Sequence, residues 1–297
     1  MDVFRHLRVK RQPDKIVPDS RGLSAEQLAQ DSSWPITLRQ VNSLPENAGK
    51  RIYRALIPPD LLARFGIDPV TWKGPNGDQP VRLRMDPQVG AVYLLVRQAA
   101  SSSDNFLRLE LADNVFNGID LHLLVIHNPN GPRFDTDYDE TGRPTLFGTA
   151  RRNLAEEERA MQAGLAPAQV RVGLRASELV LRHLEAFLAT LGHRAYFLEP
   201  LTYASAWVFE RRGFAYVRGH KLMGDIHTEF QPGGRLYQAL DGSTPFRQRE
   251  QWRTVRGRAW AIHDGILSVL GQMWNGLRMV KQVGRHAGVE TFPDAEY

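Results

Sequence analysis

Two stretches of the chain alternate apolar and polar residues, Val81-Arg-Leu-Arg-Met85 and Phe106-Leu-Arg-Leu-Glu-Leu111. A period of two predicts strands with one wet face. Gly90-Ala-Val-Tyr-Leu-Leu-Val-Arg97 and Leu121-His-Leu-Leu-Val-Ile126 are nearly unbroken apolar runs and predict central strands. Ser101-Ser-Ser-Asp104 reads as the turn between two of them. The four runs together predict a mainly antiparallel meander. Asn128-Pro-Asn-Gly-Pro132 breaks the fourth run, and a hairpin is expected from Arg133–Tyr138 and Pro144–Thr149 around Asp139–Gly142.

The period then changes. Asn153 to Ala163 predicts a helix with Asn153 as N-cap, acids in its first turn and Gly164 as its end. A long helix is expected from near Pro167 to Leu191, because Leu174, Leu181, Leu184, Phe187, Leu188 and Leu191 recur at steps of three and four. Gly192 closes it. A strand Ala195–Glu199, Pro200, a helix Tyr203–Arg212, Gly213 and a strand Phe214–Val217 complete the order. Upstream, Pro58 to Phe65 reads as a short helix and Trp72 to Asp78 as a turn cluster. The fold class expected is α/β (α+β): a mixed, mostly antiparallel central sheet flanked by helices, with an irregular C-terminal extension. The divisions expected are an N-terminal arm at 1–33, a main domain at 34–222 and an extension at 223–297 acting as lid, pocket wall or homodimer contact.

Composition narrows the chemistry. Hydrophobic residues make 42% of the 297, enough for a sizeable core, and charged residues 24%. The formal charge is +5, from 38 Lys and Arg against 33 Asp and Glu. The excess is spread out, without the basic stripe and interleaved aromatics of a nucleic-acid binder, so no nucleic-acid partner is expected. A mild positive field suits an anionic ligand. The absence of cysteine excludes disulfides, thiolate metal sites and cysteine nucleophiles. No apolar run reaches the ~18 residues of a membrane span, and Met1 to Asp19 has no apolar signal core. A cytoplasmic protein with no membrane partner is the expectation.

Phe209-Glu-Arg-Arg-Gly-Phe214, preceded by the alanine-rich Tyr203-Ala-Ser-Ala-Trp207, resembles a segment of the GNAT (GCN5-related) N-acyltransferase superfamily. There a similar helix ends in Tyr-Glu-x-x-Gly-Phe before the next strand. The resemblance is strong over roughly fifty residues, from Gln169 to Val217. It implies a parted pair of strands that takes the pantetheine arm of acetyl-CoA or another acyl-CoA, and a helix N-terminus that holds the pyrophosphate. On this chain that terminus would be Arg171, Val172, Gly173, Leu174, Arg175 and Ala176. Three departures are visible. Arg175 and Ser177 stand where the family has small residues, Phe209 stands where it often has an acidic tyrosine, and some forty residues intervene between strand and loop.

Glu199, at the end of a strand before Pro200, is a candidate base, and Tyr203 a candidate acid. His127 and Asn128 follow an apolar strand and precede a break, where binding groups often project. His127 could act as a base and Asn128 as a substrate contact. His263 and Asp264 are candidate pocket residues. The acidic ladder Asp135, Asp137, Asp139 lacks the glycine and closing acid of a calcium loop, and the spacing of His220, Asp225, His227 and Glu229 fits no strong metal motif, so no metal is expected. Three readings stay open: an acyl-CoA-dependent N-acyltransferase acting on a small-molecule amine, a GNAT-like enzyme that has lost CoA and does acid–base chemistry on a small metabolite, and a non-catalytic ligand-binding protein.

Overall fold

The structure, a computed structural model, describes residues 35–148 and 150–297. The expected arm at 1–33 and the last residue of the expected hairpin, Thr149, lie outside the described residues.

Strands β1 (Val81–Asp86), β2 (Ala91–Arg97), β3 (Asn105–Asp113) and β4 (Ile119–Ile126) form the antiparallel meander that alternation predicts. β5 (Ala195–Leu198) lies parallel to β4, and β6 (Ala215–Arg218) lies at the far edge. Between them sits β7 (Arg278–Gln282), antiparallel to both. The sheet order is β1-β2-β3-β4-β5-β7-β6. The helices are α1 (Leu38–Asn42), α2 (Glu46–Tyr53), α3 (Pro59–Ala63), α4 (Leu154–Gln162), α5 (Ser177–Thr190), α6 (Tyr203–Arg211), α7 (His220–Glu229), α8 (Arg235–Gln238) and α9 (Val255–His263). Among the described residues no helix is long and apolar enough to cross a membrane.

Helix α5 anchors the main core. Val180, Leu184 and Leu188 are fully buried at steps of four, and Phe187 meets Tyr53 of α2 at 5.7 Å between ring centroids. Each such side chain stabilises the fold by about 2 kcal/mol before chain entropy is charged against it. A smaller core joins Phe134, Ala160, Leu165, Phe246 and Trp260. There Phe246 stacks on Trp260 at 5.2 Å, and the Trp260 indole N–H donates to the Leu165 carbonyl at 2.8 Å. This second core ties the segment between β4 and α5 to the C-terminal region.

Three expectations need correction. The long helix starts at Ser177, not near Pro167. Residues 170–172 are held extended by backbone bonds from Asn128 and Phe134, and Ala168 and Arg175 take left-handed φ values of 67° and 56° that no helix tolerates. The expected hairpin reduces to one bridge, Tyr138 to Pro144, around the Asp139 turn. The C-terminal region is no appendage: the expected break between 222 and 223 falls inside α7, and β7 fills the place between β5 and β6. Its sequence, Arg-Met-Val-Lys-Gln, is short and half polar, so periodicity alone does not announce it.

The Gly-Phe step that ends α6 has a physical cause. Gly213 adopts φ +85°, and a Cβ there would stand 2.8 Å from the His286 Cα. Only glycine accepts that φ and that approach together. Phe214 then buries itself edge-on against Phe209 at 5.0 Å.

Candidate functional site

β4 and β5 are paired only over Ile119–Leu121 and Tyr196–Leu198. Beyond that point β4 runs on to Ile126, while β5 ends and Pro200 follows. Two local features part them. The β3–β4 register slips opposite Glu110 and Leu111, leaving the exposed His122 as an extra residue. Such a bulge bends and twists its strand. Pro200 has no N–H with which to extend the ladder. The apolar residues Leu123 to Ile126 are consequently only half buried, although their pattern predicts a fully buried central strand.

The chain leaves the end of β4 and returns to it some forty residues later. Asn128 N–H donates to the Val172 carbonyl at 2.7 Å, and Phe134 N–H to the Val170 carbonyl at 2.9 Å. Asp104, in the turn before β3, clamps the two ends together. It accepts from Arg171 at 2.9 Å and from Arg133 at 3.2 Å, while Arg171 also donates to the Gly131 carbonyl. Burial pushes the Asp104 carboxyl up, but the Arg171 hydrogen bond and the Arg133 charge outweigh it and hold the group below the usual carboxylate range. Arg133 also takes Asp135 and Asp137, and Asp139 pairs with Arg143, so the acidic ladder is spent on guanidinium groups.

The returning chain passes directly into α5 through a loop whose donors have no acceptor. Among the described residues, no hydrogen bond is made by the backbone N–H groups of Gly173 through Leu179; the first is Val180 to the Ala176 carbonyl at 3.0 Å. The N-cap residue, Ala176, has no side-chain oxygen to satisfy them. Arg175 takes a left-handed φ of +56° immediately before Ala176 at φ −102°. The Arg175 side chain is exposed and, among the described residues, meets no carboxylate. Gly173 lies against β4, where an added Cβ would stand 3.6 Å from the Ile126 carbonyl, an ordinary contact.

The sequence candidates therefore fall into three places. Val172, Gly173, Leu174, Arg175, Ala176, His127 and Asn128 come together where β4 ends and α5 begins. Arg171 is adjacent but committed to Asp104. His127 is 6% exposed and both of its ring nitrogens lack a partner, while its backbone N–H holds β3 at the Phe106 carbonyl. Burial keeps its pKa below the ordinary imidazole value. Glu199 lies across the opening, beyond the end of β5. It is exposed and shares Arg278 with Asp120, at 3.4 Å and 2.8 Å.

Tyr203 and the pair His263 and Asp264 lie elsewhere. Tyr203 is sealed in the core, edge-on to Trp274 at 6.1 Å, with its hydroxyl beside the Arg258 guanidinium and no well-formed bond to it. Burial raises it to about 12. It does not present a hydroxyl to solvent, so proton transfer at the opening is closed to it in this conformation. Asp264 accepts from Arg152 at 2.9 Å, Arg247 at 2.8 Å and Thr244 at 3.0 Å. His263 meets Glu157 at 3.2 Å, and Glu157 in turn takes Arg152 at 2.5 Å. That network cements α4 to the C-terminal region and occupies both Asp264 carboxylate oxygens and the His263 Nε2.

Sequence reading missed Asp104 and Arg133, because the contacts that join them to Arg171 span dozens of residues. It also missed Arg258, which is fully buried under Phe292 at 3.5 Å, and Glu210, whose carboxylate accepts from Tyr216 at 2.6 Å and from Thr291. A charged residue on an alanine-rich helix was the available signal for each. Comparison of the chain with protein-family models, with curated proteins and with solved structures finds no match.

Proposed function

We propose that the protein is a GNAT-like N-acyltransferase that binds an acyl-CoA between the parted ends of β4 and β5 and passes the acyl group to a small-molecule amine. The observation that carries this reading is the run of donors from Gly173 to Leu179 that find no acceptor among the described residues, set where the two parallel strands separate. A pyrophosphate is the ligand such a run suits. It carries several acceptor oxygens, and the helix dipole of α5 favours its charge. Arg175 adds an exposed cation to the same loop. The half-buried apolar face of β4 from Leu123 to Ile126 suits the pantetheine arm, whose amides can pair with the strand edge left free by β5.

The chemistry is direct. The amine nitrogen attacks the thioester carbonyl, the carbonyl oxygen takes negative charge, and backbone N–H groups along the β4 edge stabilise it. The C–S bond then breaks, and the thiolate leaves as CoA. Glu199, exposed at the opening, takes the ammonium proton directly or through a water. Phe209 supplies no acid, since it is packed against Phe214; the thiolate needs none, because it is a stable leaving group near neutral pH.

Acetyl-CoA added in excess should raise the melting temperature, since a ligand that binds only the folded state stabilises it by RT ln(1 + [L]/Kd). Arg175→Glu should remove most of that shift without lowering the ligand-free melting temperature. No shift with any acyl-CoA, or a full shift in Arg175→Glu, would overturn the proposal. Arg171 is a poor target for this experiment, because its loss opens the Asp104 clamp.

A further inference from the structure

We infer that the free edge of β1 is a docking strand for an extended acidic peptide. Among the described residues β1 pairs with β2 on one side alone, so half of its backbone N–H and C=O groups face away from the sheet. A groove of about 1020 Å³ opens beside β1 and over the face that its Arg82 and Arg84 share with Tyr93 and Leu95 of β2 and Arg108 and Glu110 of β3. That volume lies at the upper end of the ~300–1000 Å³ range of small-molecule pockets and has room for a peptide segment. The groove is lined by five cations, Lys50, Arg54, Arg82, Arg84 and Arg108, against a single carboxylate, Glu110. The one carboxylate is already used by Arg108 at 2.6 Å, and Lys50 has Glu46 at 2.5 Å. Among the described residues Arg54, Arg82 and Arg84 pair with no carboxylate, and the Arg54 Nε is buried without a partner.

Edge strands of this length normally carry charge to repel self-pairing. Here the charge has one sign on both walls. It opposes a second copy of β1 while favouring a strand of opposite charge, so a partner chain with acidic side chains is the occupant that the groove complements. A peptide of about six residues spans the six-residue strand. Its backbone would add to the sheet at β1, and its alternate acids would share one face and meet Arg82 and Arg84. Single-stranded nucleic acid would share the charge but needs aromatic faces to stack on. The aromatic rings available are engaged: the Arg84 guanidinium covers Tyr93 at 3.9 Å, and Trp72 is 6% exposed beneath Arg54.

The test uses fluorescence anisotropy of the full chain at low ionic strength. The probes are a labelled peptide of alternating Glu and Val, the same peptide N-methylated at every second amide, and an oligothymidylate of equal charge. The alternating peptide should bind, and Arg82→Glu/Arg84→Glu should weaken it by more than about tenfold, since truncating or reversing interface charges acts strongly on pairing. Arg82→Gln/Arg84→Gln should give an intermediate loss, and circular dichroism should show both variants folded. The N-methylated peptide should fail on the wild type, because charge remains but the ladder cannot form. The inference is overturned by no peptide binding, by equal binding of the N-methylated peptide, by unchanged affinity in the Glu variant, or by oligothymidylate binding more tightly than the peptide.

Discussion

The loop from Gly173 to Leu179 and the joint between α4 and α9 are both polar, yet they are built on opposite principles. At the joint the charges answer one another: Arg152 meets Glu157 and Asp264, Asp264 meets Arg247 and Thr244, and His263 meets Glu157. In the loop seven successive donors have no acceptor among the described residues, and its exposed cation meets no carboxylate among them. Satisfied buried networks fix geometry and cost a great deal to break. Open donors at a helix start carry a modest cost in stability and are available to a ligand. The contrast separates a structural charge cluster from a binding one more sharply than residue type does, since both regions contain arginines.

That contrast is breakable in order of effect. Asp264→Ala should destabilise the fold by about 3 kcal/mol in a urea titration, because it leaves the Arg247 guanidinium without its carboxylate and Arg152 with Glu157 alone. A loss below about 1 kcal/mol would place the joint among exposed ion pairs instead. Arg175→Gly should go the other way, raising the unfolding free energy in a urea titration by about 1 kcal/mol through relief of the left-handed φ. Its effect on acetyl-CoA should be a weaker thermal shift, since the cation is gone; a stronger shift would mean that the backbone alone holds the anion. Ser177→Asp should stabilise α5 by roughly 0.5 kcal/mol through the helix dipole while competing with a bound pyrophosphate. If it left the CoA shift intact, the ligand would lie elsewhere.

Acid should act on the main core as well. His127, His183 and His193 all have folded pKa values held below 6.5, burial being the first cause in each. The unfolded chain therefore binds more protons below about pH 6.5, so stability must fall as pH drops through that value. Each histidine contributes a slope of up to about 1.4 kcal/mol per pH unit until its own folded pKa is reached. His193→Gln, which keeps a donor for the Ile36 carbonyl at 2.9 Å, should flatten the pH dependence below about pH 6.5. An unchanged slope would remove His193 from the account.

Much of the fold was legible along the chain. The alternation at Val81–Met85 and Phe106–Leu111 placed β1 and β3, and the three- and four-residue steps from Leu181 to Leu191 placed α5. Asn153 caps α4 as its position before two acids predicts, its side chain accepting from Glu156 N–H. These features are local, because backbone hydrogen bonds within a helix and side-chain alternation along a strand depend on neighbours in sequence. The start of α5 was not legible: the apolar period continues back to Leu174, and only bonds from Asn128 and Phe134 pull residues 170–172 out of the helix.

Sequence alone determined the strands of the meander, the body of α5, α4 and α6, and the glycine at 213. Tertiary structure decided which of those elements meet. It inserted β7 between β5 and β6, parted β4 from β5 after three residue pairs, buried Tyr203 and spent Asp264 on arginines. The physical reason is range. Periodicity reports the face that a residue shares with its neighbours, whereas a charge or a hydroxyl becomes structural or functional through partners far away in the chain.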